Sequence, residues 1–443
     1  MPEAEPQTSQ RSDVDQLLDE WRMLELEEQL RRFAQLDRES AVHFMQGLSV
    51  PAQAALLIAL PPGERRIWLR LLAPDDAADV IQHAPPERRA ELIELLDDIT
   101  RSEVTALLAY VEDEAGGLMN PRFARVRPDM RVAEALRYLR RQAVERSEAI
   151  YYAYVLGPEQ ELMGVISFKE LLLAPDDQLV VDIMHRDVLS VPETMDQEEI
   201  ARVIARRNLL AVPVVDSGGR IKGIVTIDDV VDVLAEEATE DIQKLGGMEA
   251  LDLPYWRTSF VTLVRKRVGW LVALFLSEML TTTAMARFET DIARAVVLAV
   301  FIPLLISSGG NSGSQATTLI VRAMALGEVR LYEIFRVFRR EMAAGLALGV
   351  ILGAIGMTRV MLWQQLFGSY GEHARLLGMT VAVSLVGVVA WGALAGAMLP
   401  FALRALKFDP ASASAPLVAT LVDVSGLVIY FNVAQWVLRG TLL

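Results

Sequence analysis

Apolar residues are laid out in two different ways along this chain of 443 residues. From Val268 onward they run nearly unbroken in five stretches: Val268 to Ala286, Ala295 to Ala325, Met342 to Leu366, Leu376 to Leu403 and Pro416 to Leu438. Each approaches or exceeds the roughly 20 residues a helix needs to cross a bilayer, so five membrane spans are predicted. Bases flank alternate ends: Arg265, Lys266 and Arg267 before the first stretch, Arg330, Arg336, Arg339 and Arg340 between the second and third, Arg404 and Lys407 between the fourth and fifth. By the positive-inside rule the large N-terminal part is expected in the cytoplasm and the C-terminus outside.

Before the first stretch the apolar positions come in short periodic groups. Residues 13–117 carry no clear strand and many helix punctuators, including Pro61-Pro62, Ala73-Pro74-Asp75-Asp76 and Pro85-Pro86, each followed by a leucine-rich run. This predicts an all-α superhelical stack. Next comes an internal repeat at a shift of about 60 to 65 residues. Leu118-Met119 matches Ile183-Met184, and Gly164-Val165-Ile166-Ser167 matches Gly223-Ile224-Val225-Thr226. Each copy reads as a helix (Val132 to Gln142; Gln197 to Arg206), a strand pair (Tyr151 to Leu156 with Glu161 to Ser167; Leu210 to Val215 with Ile221 to Thr226) and a closing helix. The Asp216-Ser217-Gly218-Gly219 turn supports the second hairpin. The expected organisation is a disordered 1–12, a helical domain 13–117, α/β repeats at 118–175 and 182–237, an acidic connecting helix 238–266 and an α-helical polytopic membrane domain 267–443.

Composition sharpens this division. Hydrophobic residues make up 52% and the net charge is −15, but only nine of the 58 acids lie from Arg257 onward. An acidic soluble part joined to a basic apolar part argues for cation handling and against nucleic acid. Cysteine is absent and there are four His, which excludes a thiolate site and disfavours zinc. No signal-peptide pattern precedes the charged helical segment Ser12 to Glu28, in keeping with a cytoplasmic N-terminus.

Three features carry candidate chemistry. The second stretch contains Ser307-Ser308-Gly309-Gly310-Asn311-Ser312-Gly313-Ser314-Gln315. Either these small residues let neighbouring helices approach closely, or the helix breaks there and its backbone lines a transport path. Asp423 stands in the middle of the last stretch, where an acid costs about 2.5 to 3.5 kcal/mol on insertion scales and marks a functional site unless a salt bridge neutralises it. Glu278, in the first stretch, raises the same question. A carboxylate with carbonyl, Asn and Thr oxygens suits Mg, Ca or Mn rather than copper or zinc. Finally, Glu236, Glu237, Glu240 and Asp241 crowd one helix, an arrangement that solvent or bound cations must neutralise.

Gly309 to Gln315, Ala397-Met398-Leu399-Pro400-Phe401, Asp409-Pro410-Ala411 and Pro416 to Asp423, in a chain with this order of domains, resemble the MgtE magnesium-transporter family, and the repeats are similar to CBS domains. The resemblance implies a plasma-membrane homodimer in lipid that passes Mg²⁺ with no enzymatic step. Its pore would be lined by Asp423, Ala419, Thr420, Gly310, Asn311 and Gly313, with the backbone carbonyls of Gly310 and Gly313 facing the ion. Asp409 would sit at the cytoplasmic mouth against the connecting helix, which would act as a plug. Regulatory Mg²⁺ would bind at Asp196, Glu198, Asp229, Asp232, Glu237, Glu240 and Asp241 when cytosolic magnesium is high. The resemblance supplies no metal ligands in the helical domain, and Ala415 stands where a relative has Asn. Gly223, Thr226 and Asp229 match a Gly-x-x-Ser/Thr-x-x-Asp nucleotide pattern, which makes ATP a regulatory ligand to test. Two alternatives remain: a broader carrier of Co²⁺ or Mn²⁺, and a non-conducting nucleotide-sensing membrane regulator. The Gly-rich stretch lacks the Gly-Lys-Ser/Thr ending of a P-loop, so an ATPase is not expected.

Overall fold

A computed structural model describes residues 14–21, 23–145, 151–251, 255–256 and 258–442; the stretch expected to be disordered, 1–12, lies outside them. The chain divides into two compact units, residues 1–237 and 238–443.

The first unit opens with short helices, a helix over 14–21 followed by a series from Leu26–Gln35 to Asp98–Leu107. Their starts follow from the sequence. Proline occupies the first turn of Val50–Ala59, Pro62–Leu69, Pro74–Gln82 and Pro86–Leu95, where its missing N–H costs nothing. Asp37 and Asp97 cap Arg38–Gln46 and Asp98–Leu107 through the free backbone N–H groups. Their ends follow a rule that the punctuation did not reveal. Arg65 donates to the carbonyls of Leu60, Ile58 and Leu57, Arg101 to those of Leu96, Glu94 and Ile93, and Arg89 to those of Ala84 and Gln82. An arginine at the fourth position of the next helix, five residues after the last carbonyl it reaches, thus satisfies orphan carbonyls at the end of the preceding one. Trp21, Phe44, Leu57, Leu69, Ile81, Leu92 and Leu96 fill the core beneath.

The repeats form as expected, with helices Val132–Glu145 and Gln197–Arg207 and hairpins Tyr152–Leu156 with Leu162–Ser167 and Ala211–Val215 with Ile221–Thr226. Gly219, at φ +74°, turns the second hairpin. Each sheet gains a two-residue parallel strand, Arg125–Val126 or Val191–Pro192, too short to show any alternation in sequence. The copies also exchange segments. Asn120, leading the first copy, pairs with Ile224 of the second, and His185, leading the second, pairs with Val165 of the first. Gly164 and Gly223 permit this: a Cβ on Gly223 would stand 2.7 Å from the Asn120 carbonyl, and one on Gly164 2.9 Å from that of His185.

Among the described residues of the second unit five helices are long and apolar enough to cross a membrane, Phe260–Arg287, Val296–Ala325, Leu331–Phe367, Gly371–Ala405 and Ala415–Leu438. The helix expected over 238–266 is different: it runs Ile227–Leu245, continuous with the end of the second repeat. It stops where Gly247 adopts φ +73° and the Met248 N–H turns back to the Gln243 carbonyl.

The Gly-rich stretch is not a break. It lies inside the unbroken helix Ile302–Ala325, preceded by a short 3₁₀ segment Val296–Phe301. A Cβ on Gly392 would stand 2.3 Å from the Gly309 oxygen, and one on Gly396 2.1 Å from the Gly313 oxygen, so the second and fourth spans touch backbone to backbone. Gly345, Gly349 and Gly353 bring the third span close to Ala390, Val386 and Ala382 of the fourth, where an added Cβ would stand 2.8, 2.7 and 2.8 Å away. With lipid as apolar as leucine, such close approach is what holds the bundle together. The packing reading therefore replaces the discontinuous-helix reading.

Candidate functional site

The fifth span starts with Ser414, whose side chain accepts from the Leu417 N–H, and with Pro416 in its first turn. Asp423 follows about two turns later and is half-buried, with Ala419 and Thr420 one turn before it. The Thr420 hydroxyl donates to the Pro416 carbonyl at 3.0 Å. Gly310 of the second span meets this face, since a Cβ there would lie 3.4 Å from that of Ala419. Asn311 is exposed beside it. Gly313 does not join them in the way expected: its carbonyl lies against Gly396 of the fourth span. Both glycine carbonyls belong to a regular helix, so each already serves the amide four residues on. Among the described residues no base pairs with Asp423, and the charged neighbour that acts on it is Glu278 of the first span. The described residues thus offer no salt bridge to Asp423, and Glu278 belongs to the same surroundings.

A second gathering of carboxylates lies in the first unit. Helix Pro74–Gln82 brings Asp76 and Asp79 to the start of helix Ile227–Leu245, where Asp228, Asp229, Asp232 and Glu236 act on them. Burial, then the charges of Asp76, Glu112, Asp229 and Glu236, push the Asp79 carboxyl up from 3.8 to about 8. Burial raises Asp229 to about 7, with Asp228 and Asp76 adding to it against the hydrogen bond from Thr226. Asp76 and Asp232 are raised for the same reasons, although each also reaches solvent, as side chains lining a cleft do. Crowded carboxylates without cations cannot all ionise cheaply. Among the described residues no three acid or histidine side chains form a ready-made metal cage. The arrangement fits a hydrated divalent ion held through its waters.

The remaining predicted ligands have protein partners or neighbours within their own unit. Asp196 caps helix Gln197–Arg207 through the Glu198 N–H at 3.0 Å, and Glu198 pairs with Arg202. Glu237 accepts from Gln197 at 2.6 Å. Glu240 and Asp409 both bind Lys244, at 2.5 and 2.7 Å. Asp241 lies one residue beyond Glu240 on the same helix.

Thr226 and Asp229 line a cavity of about 410 Å³ together with Tyr152, Tyr154, Arg122 and Trp68. Two buried polar atoms of its wall, the Tyr154 hydroxyl and Gln142 Oε1, have no hydrogen-bond partner among the described residues. Gly223 serves packing instead, against Asn120. In the first copy the matching carboxylate, Glu170, is taken up by His185 at 2.6 Å, whose hydrogen bond holds it down at about 2.

Sequence reasoning missed Asp76, Asp79 and Lys244. The Asp75-Asp76-x-x-Asp79 spacing on one helix is a usable signal that reading Ala73-Pro74-Asp75-Asp76 as helix punctuation passes over.

Comparison with known proteins gives a consistent result. Family models match the chain as an MgtE intracellular N domain over residues 12–113, CBS domains over 111–177 and 180–236, and an MgtE divalent cation transporter over 302–433. A magnesium transporter MgtE of Thermus thermophilus is 46% identical over 83% of this chain and 80% of its own length. One from Enterococcus faecalis is 34% identical over 76% of this chain and 72% of its own length. A solved cytosolic domain of the Mg²⁺ channel MgtE in complex with ATP is 42% identical, covers 50% of this chain and 90% of that chain, and has a TM-score of 0.47.

Proposed function

The chain belongs to the MgtE family, and from that premise we propose that it carries Mg²⁺ into the cell through a pore at Asp423 and is closed by cytosolic Mg²⁺. Asp423 carries the reading: it is an acid in a membrane span that no base pairs with among the described residues, and its helix meets Gly310 of the second span at Ala419. The neighbouring second span exposes Ser307, Asn311, Gln315 and Thr318, a polar stripe that lipid would not tolerate. A two-fold partner covers that stripe with its own twin and brings two copies of Asp423 to one axis, so the acting unit is a homodimer. Magnesium sheds water reluctantly, so a few carboxylate and amide oxygens acting through its hydration shell suit it better than a dry cage. Ala419 and Gly310 keep the wall low where the hydrated ion passes, while Asn311 and Thr420 offer oxygens. By the distribution of bases, the acidic part and the connecting helix face the cytoplasm and the C-terminus lies outside.

Closure is a shift between two arrangements. Cations binding Asp76, Asp79, Asp229 and Asp232 relieve the repulsion of the compact arrangement, and sites at Asp196, Glu198, Glu237, Glu240 and Asp241 extend the effect along the connecting helix. Moving an equilibrium from 1:99 to 99:1 takes about 5.5 kcal/mol of differential binding, which several weakly held ions supply together. A nucleotide such as ATP is a second regulatory ligand, favoured by the cavity at Thr226 and Asp229 and its unpaired Tyr154 hydroxyl.

Uptake into proteoliposomes tests the reading: Mg²⁺ flux inhibited by Mg²⁺ on the cytoplasmic face is expected. Equal Mg²⁺, Co²⁺ and Mn²⁺ flux favours the broader carrier. A protein that binds nucleotide yet passes no cation contradicts the proposal.

A further inference from the structure

Within the second unit the last turns of the connecting helix meet the membrane bundle at two linked points. At the first, Lys244 Nζ lies between Glu240 Oε1 at 2.5 Å and Asp409 Oδ2 at 2.7 Å. The other Asp409 oxygen accepts from the Ala411 N–H at 2.8 Å and caps the turn Pro410–Ser412 that leads into the fifth span. Partial burial disfavours the ammonium, but hydrogen bonds from it to Asp409 and Glu240 outweigh that and keep Lys244 charged. At the second point, Gly247 follows the helix end at φ +73° and lies against the Trp270 ring; a Cβ there would stand 2.7 Å from the indole and 3.2 Å from Pro416. The Trp270 Nε1–H donates to Ser414 Oγ at 3.2 Å, and the same oxygen accepts from Leu417 N to cap the fifth span.

These contacts tie three elements together: the helix that the acidic cluster acts on, the first span, and the start of the span that carries Asp423. Resting on the functional reading above, we propose that Lys244 is a tethered cation that latches the connecting helix to the loop before the fifth span. Trp270 and Ser414 then pass the helix's position on to that span. The latch adds a point to the expectation that Asp409 meets a metal ion: an internal ammonium already supplies positive charge there, so this end of the helix is held without Mg²⁺. The latch favours the closed arrangement and lowers the Mg²⁺ that closure requires. All three are positioning residues: Lys244 acts through Asp409 and Trp270 through Ser414.

The test uses the full chain in proteoliposomes with Lys244→Met, which keeps the aliphatic stem and removes the charge. Uninhibited flux should stay within about twofold of wild type, while the cytoplasmic Mg²⁺ giving half-closure should rise by ~3- to 10-fold, the range of a partly exposed pair with two carboxylates. Trp270→Phe, which deletes the N–H and keeps most of the ring, should move the same midpoint in the same direction by a smaller factor. Hydrogen exchange of the amides in residues 246–251 and 409–414 provides a readout independent of transport and should accelerate in Lys244→Met. An unchanged or lowered midpoint, or unchanged exchange, overturns the latch. If wild type itself shows no Mg²⁺ flux, the functional reading fails, and faster exchange in the variant would still support the contact.

Discussion

The chain carries two concentrations of negative charge that solve opposite problems. In the first unit Asp76, Asp79, Asp229 and Asp232 crowd together, with Asp228 beside them, until burial and repulsion resist the ionisation of those four. In the fifth span Asp423 stands with Glu278 as its charged neighbour, on a wall of small residues. A crowd of carboxylates gains most when a cation arrives, so its geometry depends on cation concentration, as a sensor's must. A sparse pair of carboxylates would hold a hydrated ion weakly enough to release it, as a conduit must. On the proposed function the same chemistry serves both roles, and the number of neighbours decides which.

The largest effect that could break this comparison is structural. Gly396→Val places a side chain where even a Cβ stands 2.1 Å from the Gly313 oxygen. It should abolish monodisperse protein in detergent, seen by size-exclusion chromatography, whereas Gly310→Ala, whose Cβ would meet that of Ala419 at 3.4 Å, an ordinary contact, should fold and change only flux. Next in size, Asp79→Asn with Asp229→Asn should leave uninhibited Mg²⁺ flux intact and raise the Mg²⁺ needed for half-inhibition by ~10-fold or more, the coupling typical of an effector site. An unchanged inhibition curve would remove the sensor role from these residues.

A smaller effect is pH-dependent. Asp79 has an ordinary value of 3.8 and a folded value of about 8. Its contribution to the compact arrangement is therefore fully present below the ordinary value and is lost as pH rises through the folded one. Without divalent ions, melting of the full chain should fall by a few degrees, ~2 to 6 °C, between pH 5 and pH 8.5, and Mg²⁺ should restore most of it at the higher pH. Asp79→Asn should flatten the profile. The smallest expected effect is at the cavity: Tyr154→Phe should weaken adenine-nucleotide binding by ~3- to 10-fold, the value of one hydrogen bond, with the Mg²⁺ inhibition curve unchanged when no nucleotide is present.

Much of this arrangement was readable along the chain because the membrane imposes one-dimensional rules. Five apolar stretches announce five spans, but four of the helices run past their apolar stretch: Phe260–Arg287 begins eight residues before Val268 because its first turns carry Arg265, Lys266 and Arg267 and count as polar. The repeat was legible in its hairpins and not in the exchange of Asn120 and His185 between copies, which is a contact across sequence. Composition alone left Gly309 to Gln315 open between packing and a broken helix; the fourth-span glycines that decide it lie far along the chain. Asp423 stood out because an acid in an apolar run is costly wherever it is. Asp79 did not, because an acid on a soluble helix is ordinary until the carboxylates that raise it come into view.

The most direct measurement is Mg²⁺ uptake into proteoliposomes by wild type and Asp423→Ala, paired with Mg²⁺-dependent protection of the acidic cluster from proteolysis. Conduit and sensor should separate: flux should fall by ~100-fold or more, in the range of losing an essential charged group, while Mg²⁺ protection of the cluster stays at its wild-type concentration. Undiminished uptake in Asp423→Ala would contradict the account.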